Sequence, residues 1–182
     1  MSEDFMTIDN PHRLLSTGAV NIITAGNGED DNLFTVAWNM ALRKKIPMVA
    51  IESGKSHYSY NLIKDSGEFG INIPDRIIAE ETLNAGKISG SEVDDKFAEI
   101  GLTRSEAKKI QAPMVAEAAA KIECRISQVN DMGASALLIA QILNAEVKEE
   151  YYKDGKWNFD NLELIHHMGG NEFAVSSESI EI

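Results

Sequence analysis

Asn32-Leu33-Phe34-Thr35-Val36-Ala37-Trp38, running on through Asn39 and Met40 to Arg43 and Pro47, is the stretch on which the fold turns. Phe34, Val36 and Trp38 fall on one pleat face and Leu33, Thr35 and Ala37 on the other. Neither face is simply polar, so the period suits a strand buried on both sides. Thr35 and Asn39 are small groups that let a flat ligand approach backbone amides, and Trp38 can cover one edge of an aromatic ring system. Taken alone, the same residues also read as a core strand ending in a packed tryptophan.

Upstream, Ser16 to Ala25 is a β-favouring run with Val20, Ile22 and Ile23, broken by Gly26, Asn27 and Gly28. That spells strand, turn, strand. No third glycine arrives on schedule and no helix follows, so the dinucleotide fingerprint fails. Downstream, Pro47 to Ile51 is a third strand that starts with proline, where a missing donor costs least. Ser53, Gly54, Lys55 and Ser56 then lead into helical spacing from Tyr58 to Lys64, closed by Ser66 and Gly67. Ser53, Ser56 and Ser59 place three hydroxyls, and Lys55 one ammonium, near the positive end of that helix. The set suits a phosphate monoester, and it equally suits ordinary serine capping.

Further on, Glu68 to Ile73 alternates as a strand ended by Pro74, and from Asp75 an amphipathic helix with Ile77, Ile78 and Leu83 reaches Gly86. Lys87 to Phe97 is a polar connector of the kind that folds over a site or stays a solvated loop. Lys121 to Val129 alternates, with Ile122, Cys124 and Ile126 on one face and Lys121, Glu123 and Arg125 on the other. Asn130 to Gly133 turns the chain, and Leu137 to Val147 returns to complete a hairpin. Asp154 and Gly155 mark another turn between Tyr151 and Trp157. His166 and His167 are adjacent, so on a strand they face opposite ways and cannot jointly grip a metal. With His12 and His57 remote in sequence, and neither an HExxH pattern nor a nucleophile elbow present, hydrolytic and metal chemistry lack support. About seven strands and two or three helices, with no linker or repeat, predict one domain over residues 1–182. It is mainly β, an antiparallel barrel with flanking helices.

Composition narrows the function. The 182 residues carry a net charge of -12, with a pI near 4.7. That field repels polyphosphate backbones, so nucleic acid is not expected as a partner. It also opposes any anionic ligand at long range, so a phosphate needs a local basic or amide-rich pocket. No run of about eighteen apolar residues exists, so no membrane helix is expected. The start Met1-Ser2-Glu3-Asp4 lacks the pattern of a secretory signal, and the lone Cys124 suits a reducing compartment, which together predict a cytoplasmic protein.

The order of these pieces resembles the flavin reductase-like family of FMN-binding split barrels, flavoredoxins in particular. The markers are the Asn32 to Trp38 strand followed by Pro47, then Tyr58-Ser59-Tyr60-Asn61-Leu62-Ile63 leading to Gly67-Glu68-Phe69 and Asn72 to Pro74. Ser89 and Gly90 with Asp95-Lys96-Phe97, and the Gly169-Gly170 pair, complete the set. The likeness runs roughly from His12 to Phe173. It implies a six-stranded antiparallel Greek-key split β-barrel that forms a homodimer and holds FMN near the subunit interface. Carried over by position, Asn32, Thr35, Val36, Ala37 and Trp38 line the flavin, and Ser53 and Ser59, with Lys55 in the same loop, face the ribityl phosphate. Lys96 and Ser89 close the site. Two departures stand out. Ser135 occupies a position where such sequences often carry histidine, and the connector before Lys96 is one residue longer than usual.

The activity so implied is an FMN oxidoreductase taking electrons from NADH, NADPH or a protein donor and passing them to free flavin or a redox protein partner. The flavin carries that chemistry, so no side chain is expected to act as acid or base. A flavoredoxin-like electron carrier without nicotinamide turnover is the alternative, and a dimeric protein for another flat cofactor such as heme is a third.

Overall fold

The computed structural model describes residues 8–15, 18–28, 30–176 and 178–181. Ser16 and Thr17, from the first strand reading, and the acidic Met1-to-Asp4 start lie outside the described residues. β1 (Asn21–Gly26) and β2 (Asp31–Val36) form a hairpin. Its turn needs Gly26, because a Cβ there would lie 2.2 Å from the Asp30 carbonyl oxygen. β3 (Asn39–Arg43) and β4 (Met48–Gly54) form the next hairpin. Then come α1 (Tyr58–Ser66), β5 (Glu68–Ile73), α2 (Ala79–Lys87) and α3 (Lys96–Ile100). Two short strands, β6 (Arg104–Ser105) and β7 (Met114–Val115), precede the long hairpin of β8 (Ala120–Asp131) and β9 (Ser135–Val147). The ribbons β10 (Tyr152–Lys153) with β11 (Lys156–Trp157), and β12 (Leu164–Gly169) with β13 (Glu172–Ser176), follow.

The main sheet has seven antiparallel strands in the order β2-β1-β5-β8-β9-β4-β3. Its two edge strands are neighbours in sequence. The stretch read as one strand therefore divides at Ala37 and Trp38, pairing with β1 over its first half and with β4 over its second, and six expected strands become seven. The sheet curls without closing, which is the split barrel. A hydrogen bond from the Glu52 amide to the Trp38 carbonyl (3.0 Å) holds the division.

Burial on both faces of β1 and β2 follows from two cores. Ile23, Phe34 and Val36 point into the barrel with Ile51, Phe69 and Leu138. Ile22 and Leu33 face outward, under α2 and α3, against Ile78, Phe97 and Ile100. Asn72, wholly buried, ties the layers: its Nδ2 donates to the Ile22 carbonyl (3.1 Å) and its Oδ1 accepts from the Val115 amide (2.8 Å). The predicted strand and helix limits hold best at β5 and at α1, which ends on Gly67 in the left-handed region.

Three local expectations fail. Trp38 is 53% exposed, so it is not a packed core residue. The helix expected from Asp75 begins as a 3-10 turn at Arg76–Ile78, and Ile77 points out, 81% exposed. The alternation along β8 is interrupted by register shifts at Glu123/Cys124 and Ile126/Gln128, and Glu123, assigned to the polar face, is only 2% exposed.

Glu123 is satisfied where it lies. Its carboxylate accepts from the Lys108 and Lys109 amides and from Asn144 Nδ2 (2.9 Å), pinning the loop between β6 and β7. Burial pushes its carboxyl up, but these bonds outweigh burial and hold it below the usual range. Glu123→Leu removes the acceptor of the Lys108 and Lys109 amides and of Asn144, at about 1 kcal/mol per bond, and should lower the melting temperature by roughly 5 °C or more. The depressed carboxyl means that its stabilising share is complete above the unfolded value of about 4.3 and drains away as pH falls through the folded value. A Glu123→Gln variant should lose that part of the acid sensitivity in thermal melts from pH 3 to 7. An unchanged melting temperature in Glu123→Leu contradicts the assignment.

Candidate functional site

Edge strand β2 has β1 on one side and, among the described residues, no strand on the other, so alternate backbone groups there are open to a ligand. A groove runs along that side as two connected cavities of about 280 and 450 Å³, which share Phe34, Thr35 and His57.

The larger cavity lies between β2, the start of α1 and the connector from α2 to α3. His57 precedes α1 and makes no side-chain cap, leaving the helix's positive end open to the groove. Ser59, in the first turn and buried, accepts a hydrogen bond from Asn32 Nδ2 (2.7 Å). Asn32 Oδ1 is buried with no hydrogen-bond partner among the described residues. Gly90 is required beside it, since a Cβ there would come within 2.5 Å of the Asn32 side chain. Lys96 is buried at the start of α3, its Nζ donating to the Ala85 carbonyl (2.8 Å), and burial pushes its amine down to about 8. Ser89 lines the same cavity and shares a 2.8 Å hydrogen bond with Ser91.

The smaller cavity lies where β2 ends. Val36 and Ala37 line it, and Trp38 stands at its mouth with its ring edge against His12, centroids 6.1 Å apart. Thr35 is held by its hydroxyl donating to the Thr82 carbonyl, and Gly86 lets α2 approach it, a Cβ there falling 3.3 Å from Thr35 Cβ. Ser53 lines this cavity, buried, with its Oγ lacking a partner among the described residues. The turn joining β12 to β13 completes the wall. Gly169 there lies close to Arg13, whose Nη1 would be 3.3 Å from a Cβ.

Of the residues expected at the site, Asn32, Thr35, Val36, Ala37, Trp38, Ser53, Ser59, Ser89 and Lys96 all line the groove. Ser53 and Ser59 sit in different cavities and do not form one cluster. Lys55 lines neither cavity; its Nζ pairs with Asp131 at 2.5 Å, at the turn of the β8–β9 hairpin. Sequence reading did not assign Arg13, Glu52, His57, Lys87 or His167 to the site. The Gly169-Gly170 pair was a signal for the last wall, and Arg13 had none. Three of the four histidines line the smaller cavity, yet among the described residues no group of three or more His, Cys, Asp or Glu is placed to hold a metal. Cys124 is buried, with its thiol pushed up to about 12 by burial, and is inert.

Residues 13–170 match the model of the flavin reductase like domain, and the chain belongs to that family. It is 29% identical to the protein YddH of Escherichia coli K12 over 184 residues, covering 97% of each chain. Among solved structures it superposes on the flavoredoxin of Desulfovibrio vulgaris (Miyazaki F), with a TM-score of 0.80, 26% identity, and 91% and 90% of the two chains covered. It also superposes on an FMN-binding domain of a flavin reductases-like enzyme from Shewanella baltica, with a TM-score of 0.84, 23% identity, and coverage of 97% and 95%.

Lys96 is costly to the fold: a buried ammonium with one hydrogen bond sits where a hydrocarbon would pack. Lys96→Met should keep or raise the melting temperature at pH 7. With the folded amine at about 8 and the unfolded one near 10.4, the unfolded chain binds the extra proton between those values, so wild-type stability rises with pH across that window. The variant should lose that rise. Melts from pH 7 to 10.5 check both, and a variant destabilised by more than a few degrees contradicts the reading.

Proposed function

We propose that this chain is an FMN-binding oxidoreductase of the flavin reductase-like type, passing electrons from NADH or NADPH through bound FMN to free flavin or a protein acceptor. The observation that carries this reading is the groove along β2, with Ser56, Ser59, Ser89, Lys87 and Lys96 at one end and Phe34, Val36, Ala37 and Trp38 at the other, in a member of that family. The fit to FMN rests on two polar atoms of the groove. Asn32 Oδ1 and Ser53 Oγ are buried without partners, and unmet polar atoms of that kind call for a ligand that bonds them. When bound, FMN supplies hydride and single-electron exchange at its ring.

The chain's own residues bind and orient. Ser59 uses its acceptor side for Asn32 and keeps its proton to donate to a phosphate oxygen. Lys87 and Lys96 offset the field of a chain with net charge -12. The edge backbone of β2 offers amides to the polar rim of the ring, and Trp38 covers one edge. Lys55, Ser53 and Ser89 remain within the proposed set, Lys55 acting only through the loop it anchors. The 1–182 chain is proposed as one cytoplasmic domain acting as a homodimer. Trp38, Met40 and Leu42, close together along the edge segment, are 53%, 59% and 40% exposed, apolar surface for a second subunit to cover. Light scattering should give twice 20.0 kDa, and a stable monomer with tight FMN binding would sink the dimer.

A second reading is a flavoredoxin-like carrier without nicotinamide turnover. It is favoured by the superposition on a flavoredoxin and by Trp38 and the 11–15 turn, which overhang the smaller cavity.

Three outcomes test these readings. FMN should bind saturably at micromolar concentration in a fluorescence titration. Ser59→Glu should weaken FMN by roughly tenfold to a hundredfold, the worth of a charge-assisted hydrogen bond, and riboflavin much less. Equal loss for both ligands means that Ser59 does not meet a phosphate. In anaerobic stopped flow, millimolar NADH or NADPH should bleach the FMN-loaded protein. Bleaching by dithionite or reduced ferredoxin alone transfers the assignment to the carrier.

A further inference from the structure

Outside the groove, the strongest unexplained cluster is a guanidinium shared by two carboxylates. Arg104, on β6, donates from Nε to Asp31 Oδ2 (2.9 Å) and from Nη2 to Asp31 Oδ1 (2.7 Å). The same side chain donates from Nη1 to Asp95 Oδ2 (3.0 Å) and from Nη2 to Asp95 Oδ1 (2.9 Å). Its guanidinium carbon lies 4.4 Å from the centroid of the buried Phe97 ring. Two paired forks and a stacked face are geometry that arginine can supply and lysine cannot.

The partners explain what the fork holds. Asp31 immediately precedes Asn32 on the edge strand, and Asp95 immediately precedes Lys96. Asp95 also caps α3, its Oδ1 accepting the Ala98 amide (3.2 Å). The connector between α2 and α3 is irregular from Ser89 to Asp95, and α3 is only five residues long, too short to hold its own position. Asn32 and Lys96 thus meet at the larger cavity from elements that share no ladder and no helix. We propose that Arg104 is a positioning residue for this cavity, fixing the spacing of Asn32 and Lys96 through Asp31 and Asp95 and so setting the binding of the ligand's phosphate.

The ligand half of this statement rests on the FMN reading, whereas the clamp itself does not, and the test separates them. Arg104→Lys keeps the charge and loses the fork; Arg104→Gln loses both. Each should raise the dissociation constant for FMN roughly tenfold while leaving that for riboflavin nearly unchanged, so that preference for the phosphorylated ligand collapses. Each should also speed amide hydrogen exchange in residues 96–101 without altering exchange in β8 and β9. If wild-type protein binds FMN, both shifts are required: an unchanged preference, or wild-type behaviour of Arg104→Lys, overturns the proposal. If wild-type protein binds no FMN, the functional reading falls by itself, and exchange at 96–101 decides the clamp, unchanged rates overturning it. Should the Arg104 variants fail to fold, Asp95→Asn keeps the cap and weakens one arm. It must then show the same shifts at reduced size, and wild-type values overturn the proposal.

Discussion

The constraint on which the rest depends is the division of one extended segment between two ends of one sheet. Asp31–Val36 pairs with β1 and Asn39–Arg43 with β4, so the first and last strands of the sheet are joined by Ala37 and Trp38 alone. A sheet whose ends are tethered this closely must curl. Because the tether takes the place of a ladder between β2 and the opposite edge, the barrel stays split, and the outer side of β2 keeps unpaired backbone groups. The groove is therefore a consequence of the topology. The side chains that line it decide what it accepts.

Those side chains run against stability. A chain with net charge -12 gathers Lys87, Lys96 and Arg13 along one groove and leaves Asn32 Oδ1 and Ser53 Oγ buried and unmet. The buried Lys96 ammonium and the two unmet atoms cost free energy and are relieved by a ligand with matching atoms. The barrel interior, Ile23, Phe34, Ile51, Phe69 and Leu138 among others, is apolar and carries the stability that this arrangement draws on. Arg104 stands between the two regimes, joining the edge strand to the short helix that brings Lys96 in.

Much of this was legible where the determinants are local. The alternation of Glu68–Ile73, the Tyr58–Ser66 helix ended by Gly67, and the hairpin around Gly133 all follow from period and turn chemistry within a few residues. The resemblance supplied the barrel and nine groove residues. What stayed hidden depends on partners far along the chain. The break at Ala37–Trp38 follows from which strands lie on either side, not from the composition of Asn32–Trp38. Glu123 looked solvated because its amide donors, Lys108 and Lys109, sit on a loop fifteen and fourteen residues away. Lys55 looked like a phosphate ligand until Asp131 took it, and Arg104 reaches Asp31 across seventy-three residues.

The central claim is an orientation: one ligand along β2, its flat end beside Thr35 to Trp38 and its charged end beside Ser59 and Lys96. A crystal structure of the FMN-loaded protein tests it most directly. The account predicts ring density against the β2 edge with a hydrogen bond to Ser53 Oγ, and phosphate density within hydrogen-bond distance of Ser59 Oγ. Flavin density reversed along the groove, or bound away from β2, would contradict it.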